Sequence, residues 1–314
     1  IRLYSIIFCT SKCVRQSIIK MATTNTDLNH INLFPIGELS SRTQVHTVTL
    51  RAWERRYGLL KPQRTAKGHR LYSEADVATI ERVLSLVARG VPLGKVKPLL
   101  EDGTSLAIGN DGQDLWQDLI NSLLEAICSY SVTKVEHLIH QTLANYPVPV
   151  CSERWLEPVF AELALRKDHG AALSFAESEL MRYACLRIKT GGGQNKPAAV
   201  NLIAGKQTPM WRLVLLALQL NDAKFSVCLL NRPFTLEAGI ELALQWADNF
   251  TLFYQDGVWD QQEQTQAKLA LVENERLFMC GTAPGLANLN DQERVFTELT
   301  GCLHCLSKHN SSNG

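Results

Sequence analysis

The spacing of apolar residues divides the chain into stretches of different period. Between residues 115 and 189 they recur every three to four positions: Trp116, Ile120, Leu123 and Ile127; Val132, Val135, Ile139 and Leu143; Trp155, Val159, Phe160 and Leu163; Leu173, Phe175, Leu180 and Tyr183. Each set is one face of an amphipathic helix, and four such helices with short connections predict a helical bundle, a four-helix bundle. After TGGGQNKP, residues 190–197, the period changes. AAVNLIAG, KFSVCLLN, NFTLFYQD and ERLFMCGT are apolar, β-branched and aromatic runs of strand length. The first three are each followed by a segment of helical character, at Pro209–Leu220, Leu236–Ala247 and Asp260–Leu271. Strands alternating with helices predict an α/β parallel-sheet domain over 198–309, covered on both faces. Ligands of such sheets sit beyond the strand C-termini, which places any pocket near Gly205–Thr208 and Gly281–Ala283.

Ahead of the bundle, residues 31–102 read as short helices around one basic turn. Residues 103–114, rich in Gly and Asp and without a period, read as a linker, as does 190–197. Residues 1–30 are expected to be a disordered or non-native extension. Their first twenty hold a short apolar patch between basic residues, without the longer apolar region and small-residue cleavage site of a signal peptide. With Met21 opening the polar run MATTNTDLNH, residues 1–20 read as upstream translation, a weak targeting segment being the alternative.

Composition narrows the class. At 314 residues, 46% hydrophobic and 20% charged, the chain is expected to be globular, with two or three domains. A mainly disordered, collagen-like or coiled-coil molecule is excluded. The longest near-continuous apolar stretch, Leu213 to Leu220, is far short of the roughly 20 residues a bilayer span needs, so no membrane partner is expected. Nine cysteines, an odd number without regular spacing, suit reduced thiols in a cytoplasmic protein. The net charge of +1 conceals an asymmetry: residues 31–100 carry 12 Lys/Arg against 5 Asp/Glu, and residues 101–314 carry 16 against 25. A basic segment on an acidic body points to a polyanionic partner, nucleic acid first.

Within the basic segment, a short helix from about Pro35 to Ser41 and a polar turn lead to Thr47, which can N-cap a second helix running through Tyr57. Two short helices joined by a tight turn form a helix-turn-helix, whose second helix enters the major groove. Arg51, Arg55 and Arg56 sit on that helix, and the planar fork of arginine can grip guanine O6/N7 or a phosphate. After Gly58, Pro62 and Gly68 bracket a turn carrying Arg64, Lys67, His69 and Arg70, read as a hairpin wing laid along the DNA backbone. Ser73 with Asp76 starts a third helix whose apolar face is Val77, Ile80, Leu84 and Val87; Gly90 ends it and Pro92 starts a fourth.

The runs IGEL, TLRAWERRYGLLKP, RTAKGHRLYSEAD and GVPLGKVKPLL, in that order and spacing over about 68 residues, resemble the MerR family of winged helix-turn-helix regulators. Tryptophan in TLRAWE resembles the subgroup with cobalamin-binding-type C-terminal halves. The resemblance implies DNA contacts from Thr49, Arg51 and Trp53 on the recognition helix and from Arg64, His69, Arg70 and Tyr72 on the wing. Trp53 and Tyr72 also read as partly core, and Leu50 as core. With the charges already noted, the candidate DNA-binding set is Thr47, Thr49, Arg51, Trp53, Arg55, Arg56, Arg64, Lys67, His69, Arg70 and Tyr72.

Over 115–305 the architecture resembles the cobalamin-binding module of light- and B12-sensing MerR proteins, giving a flavodoxin-like, cobalamin-binding-type expectation for the α/β half. That module places Asp or Glu, any residue, His, two residues and Gly after the first strand. Lys206-Gln207-Thr208-Pro209-Met210-Trp211 stands there instead: Thr208 offers no nitrogen ligand and Trp211 crowds the nucleotide tail. Tyr254 replaces a small residue after the third strand, and Ser174-Phe175 replaces a Glu-His pair in the bundle. These departures predict that no cobalamin is bound, and no cofactor is expected.

Other candidates are weaker. Gly205-Lys206-Gln207-Thr208 lacks the earlier glycine of a P-loop, Val200 standing there, and the glycines 191–193 follow a helix rather than a strand. Cys302, His304 and Cys305, with His309 nearby, could hold zinc or sense redox state, but buried or idle thiols are favoured without a second pair. His137 and His140 beside Glu136 read as a solvated helix face. No nucleophile–base set supports catalysis, so a non-enzyme is expected. The chain is thus expected to be a transcription regulator that binds double-stranded promoter DNA as a homodimer and meets RNA polymerase. MerR relatives activate by distorting over-long promoter spacers. A sensor whose C-terminal half binds a corrinoid, a metal or another small molecule is the alternative.

Overall fold

The computed structural model describes residues 33–101, 111–166, 169–190, 198–246, 248–287, 289, 293–299, 301–302 and 305–306. The extension 1–30, most of both linkers and His304 and His309 lie outside the described residues.

The N-terminal part is built on helices α1 (Ile36–Thr43), α2 (Thr47–Ala52), α3 (Glu74–Ala88) and α4 (Leu93–Glu101). Helix α2 does not stop at Ala52. It widens into a π turn, Trp53–Tyr57, which Gly58 closes in the left-handed region at φ 60°. The wing strands β2 (Gln63–Arg64) and β3 (Arg70–Tyr72) pair antiparallel across a turn that needs Gly68 at φ 83°. The sequence did not suggest β1, Phe34–Pro35, which adds to the other side of β3 and makes the wing a three-stranded sheet. Ser73 donates its backbone N–H and its hydroxyl to the Asp76 carboxylate, fixing the start of α3. The second helix is capped by His46, whose Nδ1 accepts from the Val48 N–H at 3.3 Å, and Thr47 is already inside the helix.

Four helical segments follow: α5 (Asp111–Cys128), α6 (Val132–Asn145), a composite of α7 (Val148–Cys151), a π turn (Ser152–Leu156) and α8 (Glu157–Leu165), and α9 (His169–Thr190). The expected linker 103–114 therefore gives its last residues to α5. The third rod is broken in register at the π turn, and Pro158, two residues beyond it, lacks the N–H that would continue an α-helical ladder; Pro149 lies in the first turn of α7, where that N–H is not needed. Its apolar face is intact, with Trp155, Val159, Phe160 and Leu163 all buried.

The last part is a five-stranded, all-parallel sheet. Its strands are β4 (Ala199–Ala204), β5 (Ser226–Leu229), β6 (Phe250–Tyr254), β7 (Leu277–Cys280) and β8 (Val295–Phe296), in spatial order β5-β4-β6-β7-β8. This is the 2-1-3-4-5 order of flavodoxin-like folds, which reverses direction between β4 and β6. Helices α10 (Met210–Asp222), α11 (Leu236–Gln245), α12 (Gln261–Glu273) and α13 (Thr282–Leu286) connect the strands. Two apolar cores, one containing Val200, Leu213 and Phe278, the other Ile203, Phe253 and Met279, cover the two faces of the sheet.

One core runs without a break from the winged helix into the bundle, joining Leu50, Trp53 and Val87 to Trp116, Trp155 and Leu180. The bundle is tied to the sheet domain by a buried ion pair, Arg187 of α9 donating to both oxygens of Asp222 of α10 at 2.7 Å. Burial weakens both charges and each partner restores the other, so breaking the pair singly leaves a buried unpaired charge.

Candidate nucleic-acid interface

A helix turns about 100° per residue, so residues four apart share a face. On α2 and its π turn, Leu50 and Trp53 point inward at 0% exposure and Thr49 at 2%, while Val48 (55%), Arg51 and Arg55 point to solvent and Thr47 is half-buried. Thr47, Val48, Arg51 and Arg55 therefore form one outward strip. Arg51 and Arg55 have no hydrogen-bond or ion-pair partner among the described residues. A free, solvated guanidinium pair on an exposed helix face is the donor array that guanine edges and phosphates accept. Val48 adds an apolar patch of the kind that meets a thymine methyl; it stands outside the expected set, and only its 55% exposure on the helix marks it.

Three expected contact residues face inward. Thr49 and Trp53 pack into the core, and the Trp53 indole N–H donates to the Asn145 backbone oxygen at 2.8 Å. Tyr72 is at 0% exposure, and burial raises its hydroxyl pKa above the ordinary value. All three side chains are turned to the core, because an α-helix or strand laid on a core must turn one side inward.

The wing stands beside this strip. Lys67 and His69 are exposed at its tip, and Arg64 and Arg70 lie on its strands. Both arginines are drawn toward Glu54 of the recognition helix, Arg70 Nε donating to its two oxygens at 3.0 and 2.7 Å and Arg64 standing 3.7 Å away. The Glu54 side chain is only 15% exposed, so it acts as an anchor that sets the wing against the helix. Arg56 turns to the other flank, donating to Asn145 Oδ1 at 2.9 Å. His46, at the helix start, is held neutral: burial first, then the nearby charges of Arg187, Lys224 and Arg51, push its pKa down to about 4.

A second feature lies beyond the C-terminal ends of the strands. A cavity of about 400 Å³ is lined by Trp211, Arg212, Tyr254, Asp256, Thr282 and Glu157, among others. Tyr254 donates to Asp256 at 3.1 Å, and the Trp211 ring stacks on Phe160 at 4.7 Å. In the loops that follow β4 and β6, side chains pack directly on two glycines. A Cβ at Gly205 would overlap the Gln255 side chain, and one at Gly257 would overlap Gln207. The Thr208 hydroxyl donates to the Tyr254 carbonyl at 2.5 Å. Among the described residues no group of three His, Cys, Asp or Glu could hold a metal ion, and Cys302 is fully buried, which raises its thiol pKa well above the ordinary value. No described helix is long and apolar enough to cross a membrane.

A helix-turn-helix with an adjoining basic wing, joined through a helical bundle to a flavodoxin-like sheet, defines a winged-helix DNA-binding protein with an appended α/β half. The family model for the MerR HTH family regulatory protein matches residues 34–103. The chain is 30% identical over 248 residues to the HTH-type transcriptional regulator MlrA of Escherichia coli (strain K12), covering 74% of this chain and 96% of that one. It is 29% identical over 148 residues to the HTH-type transcriptional repressor CarH of Myxococcus xanthus, covering 44% of this chain and 48% of that one. A solved structure, the Methanosarcina barkeri monomethylamine corrinoid protein, aligns at a TM-score of 0.41 and 15% identity, over 62% of this chain and 99% of that one. The chain belongs to the MerR family of helix-turn-helix regulators, with MlrA among its relatives, and is a DNA-binding transcriptional regulator.

Proposed function

We propose that this regulator acts in the cytoplasm as a homodimer on promoter DNA, placing two recognition helices in successive major grooves about 34–36 Å apart on a pseudo-palindromic site. The observation that carries the reading is the outward strip of Thr47, Val48, Arg51 and Arg55, whose two guanidinium groups have no partner among the described residues. In this reading Arg51 and Arg55 reach base edges, and Arg56, Arg64, Lys67, His69 and Arg70 meet phosphates. The protein then activates by distorting the promoter so that RNA polymerase engages both of its elements; bending and untwisting of that kind costs about 1–6 kcal/mol. Selection and footprinting on genomic DNA with the full chain tests this. Protection of a pseudo-palindrome between promoter elements is expected, and Arg51→Ala is expected to cost about 1–3 kcal/mol and relax the preference at one base position per half-site. Unchanged affinity and preference in that variant would remove the recognition helix from the groove.

The α/β half does not fit a corrinoid. Thr208 is engaged as a hydroxyl donor and offers no nitrogen, and the Gln207 and Gln255 side chains pack directly on Gly257 and Gly205. We read this half as a degenerate sensor that serves assembly or polymerase contact. The cavity beside Arg212 and Asp256 favours a second reading, in which a smaller, polar effector is sensed. Absorbance spectra after addition of cobalamin are expected to match those of the separate components; a shifted corrin spectrum would restore the corrinoid reading.

A further inference from the structure

We propose that Asn145, at the C-terminal end of bundle helix α6, is a positioning residue for DNA binding: it holds Arg56 as an intact cation against the DNA backbone. The inference rests on the DNA-binding reading above and assigns a bundle residue to that interface. Asn145 is engaged three ways. Its backbone oxygen accepts from the Trp53 indole at 2.8 Å, its Oδ1 accepts from Arg56 at 2.9 Å, and its Nδ2 donates to the Gln141 carbonyl at 2.9 Å. The bond to Gln141 settles which way the amide faces, because only the NH₂ end can donate to a carbonyl, and this leaves the oxygen for Arg56.

The corner carrying Asn145 is itself fixed to the winged helix. The next residue, Tyr146, is half-buried and places its ring 5.0 Å from Trp116. Trp116 in turn donates to the Val87 carbonyl at 3.4 Å. Arg56 is thus held by a packed corner of the bundle that reaches it from 89 positions away in the chain.

The chemistry of the acceptor matters. An amide oxygen is neutral, so it orients a guanidinium without cancelling its charge, and it occupies one of five donors. Arg56 has no carboxylate partner among the described residues. Arg51 on α2 and Arg55 in the π turn look outward, while Arg56, one residue further round that turn, lies at the flank of the strip. A cation there meets the phosphates bordering the groove rather than the base edges within it. Glu54 holds the wing arginines with a carboxylate, whereas Asn145 holds Arg56 with an amide, and only the second arrangement keeps the full charge.

The experiment measures affinity of the full chain for a duplex it has selected, by fluorescence anisotropy across a range of salt concentrations, beside a scrambled duplex. Each phosphate contact contributes about 0.9 to the slope of log K against log salt. Arg56→Ala is expected to flatten that slope by about 0.9 per bound protomer. Asn145→Asp, which puts a carboxylate against Arg56, is expected to flatten it equally, with no further loss in the double variant. Asn145→Ala is expected to keep the slope and lose affinity a few-fold at every salt concentration, since the cation remains but is unheld. A purely structural role would make the Asp and Ala variants behave alike, and that result overturns the proposal. So does an unchanged slope in Arg56→Ala while wild type still prefers the selected duplex. Should Asn145→Asp fail to fold, the exposed pair Arg56→Ala and Arg56→Lys carries the test: lysine must keep the slope and alanine lose it. Absence of any sequence preference in wild type would instead bring down the DNA-binding reading itself.

Discussion

Replacing Trp53 with phenylalanine separates a supporting residue from a contacting one. The indole is at 0% exposure and its N–H donates to Asn145 at 2.8 Å, so the substitution deletes one hydrogen bond and part of a packed ring while leaving the outward strip untouched. A neutral hydrogen bond contributes about 0.5–1.5 kcal/mol net, and an acceptor left buried and unpaired costs about 1–3 kcal/mol. The smaller ring adds a cavity penalty, so a total of about 1–3 kcal/mol is expected, against about 3–5 kcal/mol for Trp53→Ala. Because winged helix and bundle share one core, the loss should appear as a lower unfolding midpoint of both together. For a unit of 150–250 residues that is about 2–4 °C per kcal/mol in Tm. Thermal unfolding followed by far-UV circular dichroism reads it. Footprinting well below the transition should then show the wild-type pattern of protected bases. The reasoning is refuted by an unchanged Tm together with a changed base preference, because that combination places the indole on the DNA.

Two further outcomes are expected. Glu54→Gln removes the carboxylate that holds Arg70 and Arg64, so the wing presents more positive charge; the salt slope on scrambled duplex should steepen by up to about 0.9 per protomer, and the ratio of specific to non-specific affinity should narrow. A slope that flattens or stays put would show that the anchor does not govern the wing charge. His46 has its pKa pushed down from 6.5 to about 4, so the unfolded chain binds a proton there more readily than the folded one between those values. Its contribution to stability is therefore complete above pH 6.5 and is lost as pH falls toward 4. His46→Asn, which can cap α2 without titrating, should flatten that part of a urea-midpoint against pH curve, and an identical curve in the two proteins would place the acid sensitivity elsewhere.

What the chain reveals on its own depends on how far apart the determining residues lie. Helices α5, α6 and α9 repeat their apolar residues within single turns, and β4, β6 and β7 are largely apolar runs, interrupted only by Asn201 and Thr251, so each is legible from neighbours alone. Strands β1 and β8, two residues each, carry no period at all and exist because β3 and β7 offer them an edge. The π turn after Ala52 was hidden in a sequence that reads as uninterrupted helix. The same limit governs the site. Family resemblance selects a basic stretch, and Arg51 and Arg55 are exposed as such a reading expects, but resemblance does not separate a residue that touches DNA from one that backs it. Thr49, Trp53 and Tyr72 differ from their exposed neighbours only in what packs behind them, and for Trp53 that is a helix end 92 residues later. Charge counts fail in the same way: Arg55, Arg56 and Arg70 are equal in the sequence. Among the described residues the first has no side-chain partner, the second is held by an amide and the third by a carboxylate. The place of Arg56 beside the recognition helix is therefore set partly by the bundle, and in the proposed reading a change in how α6 sits against α2 would reach the DNA without any change in the basic segment itself.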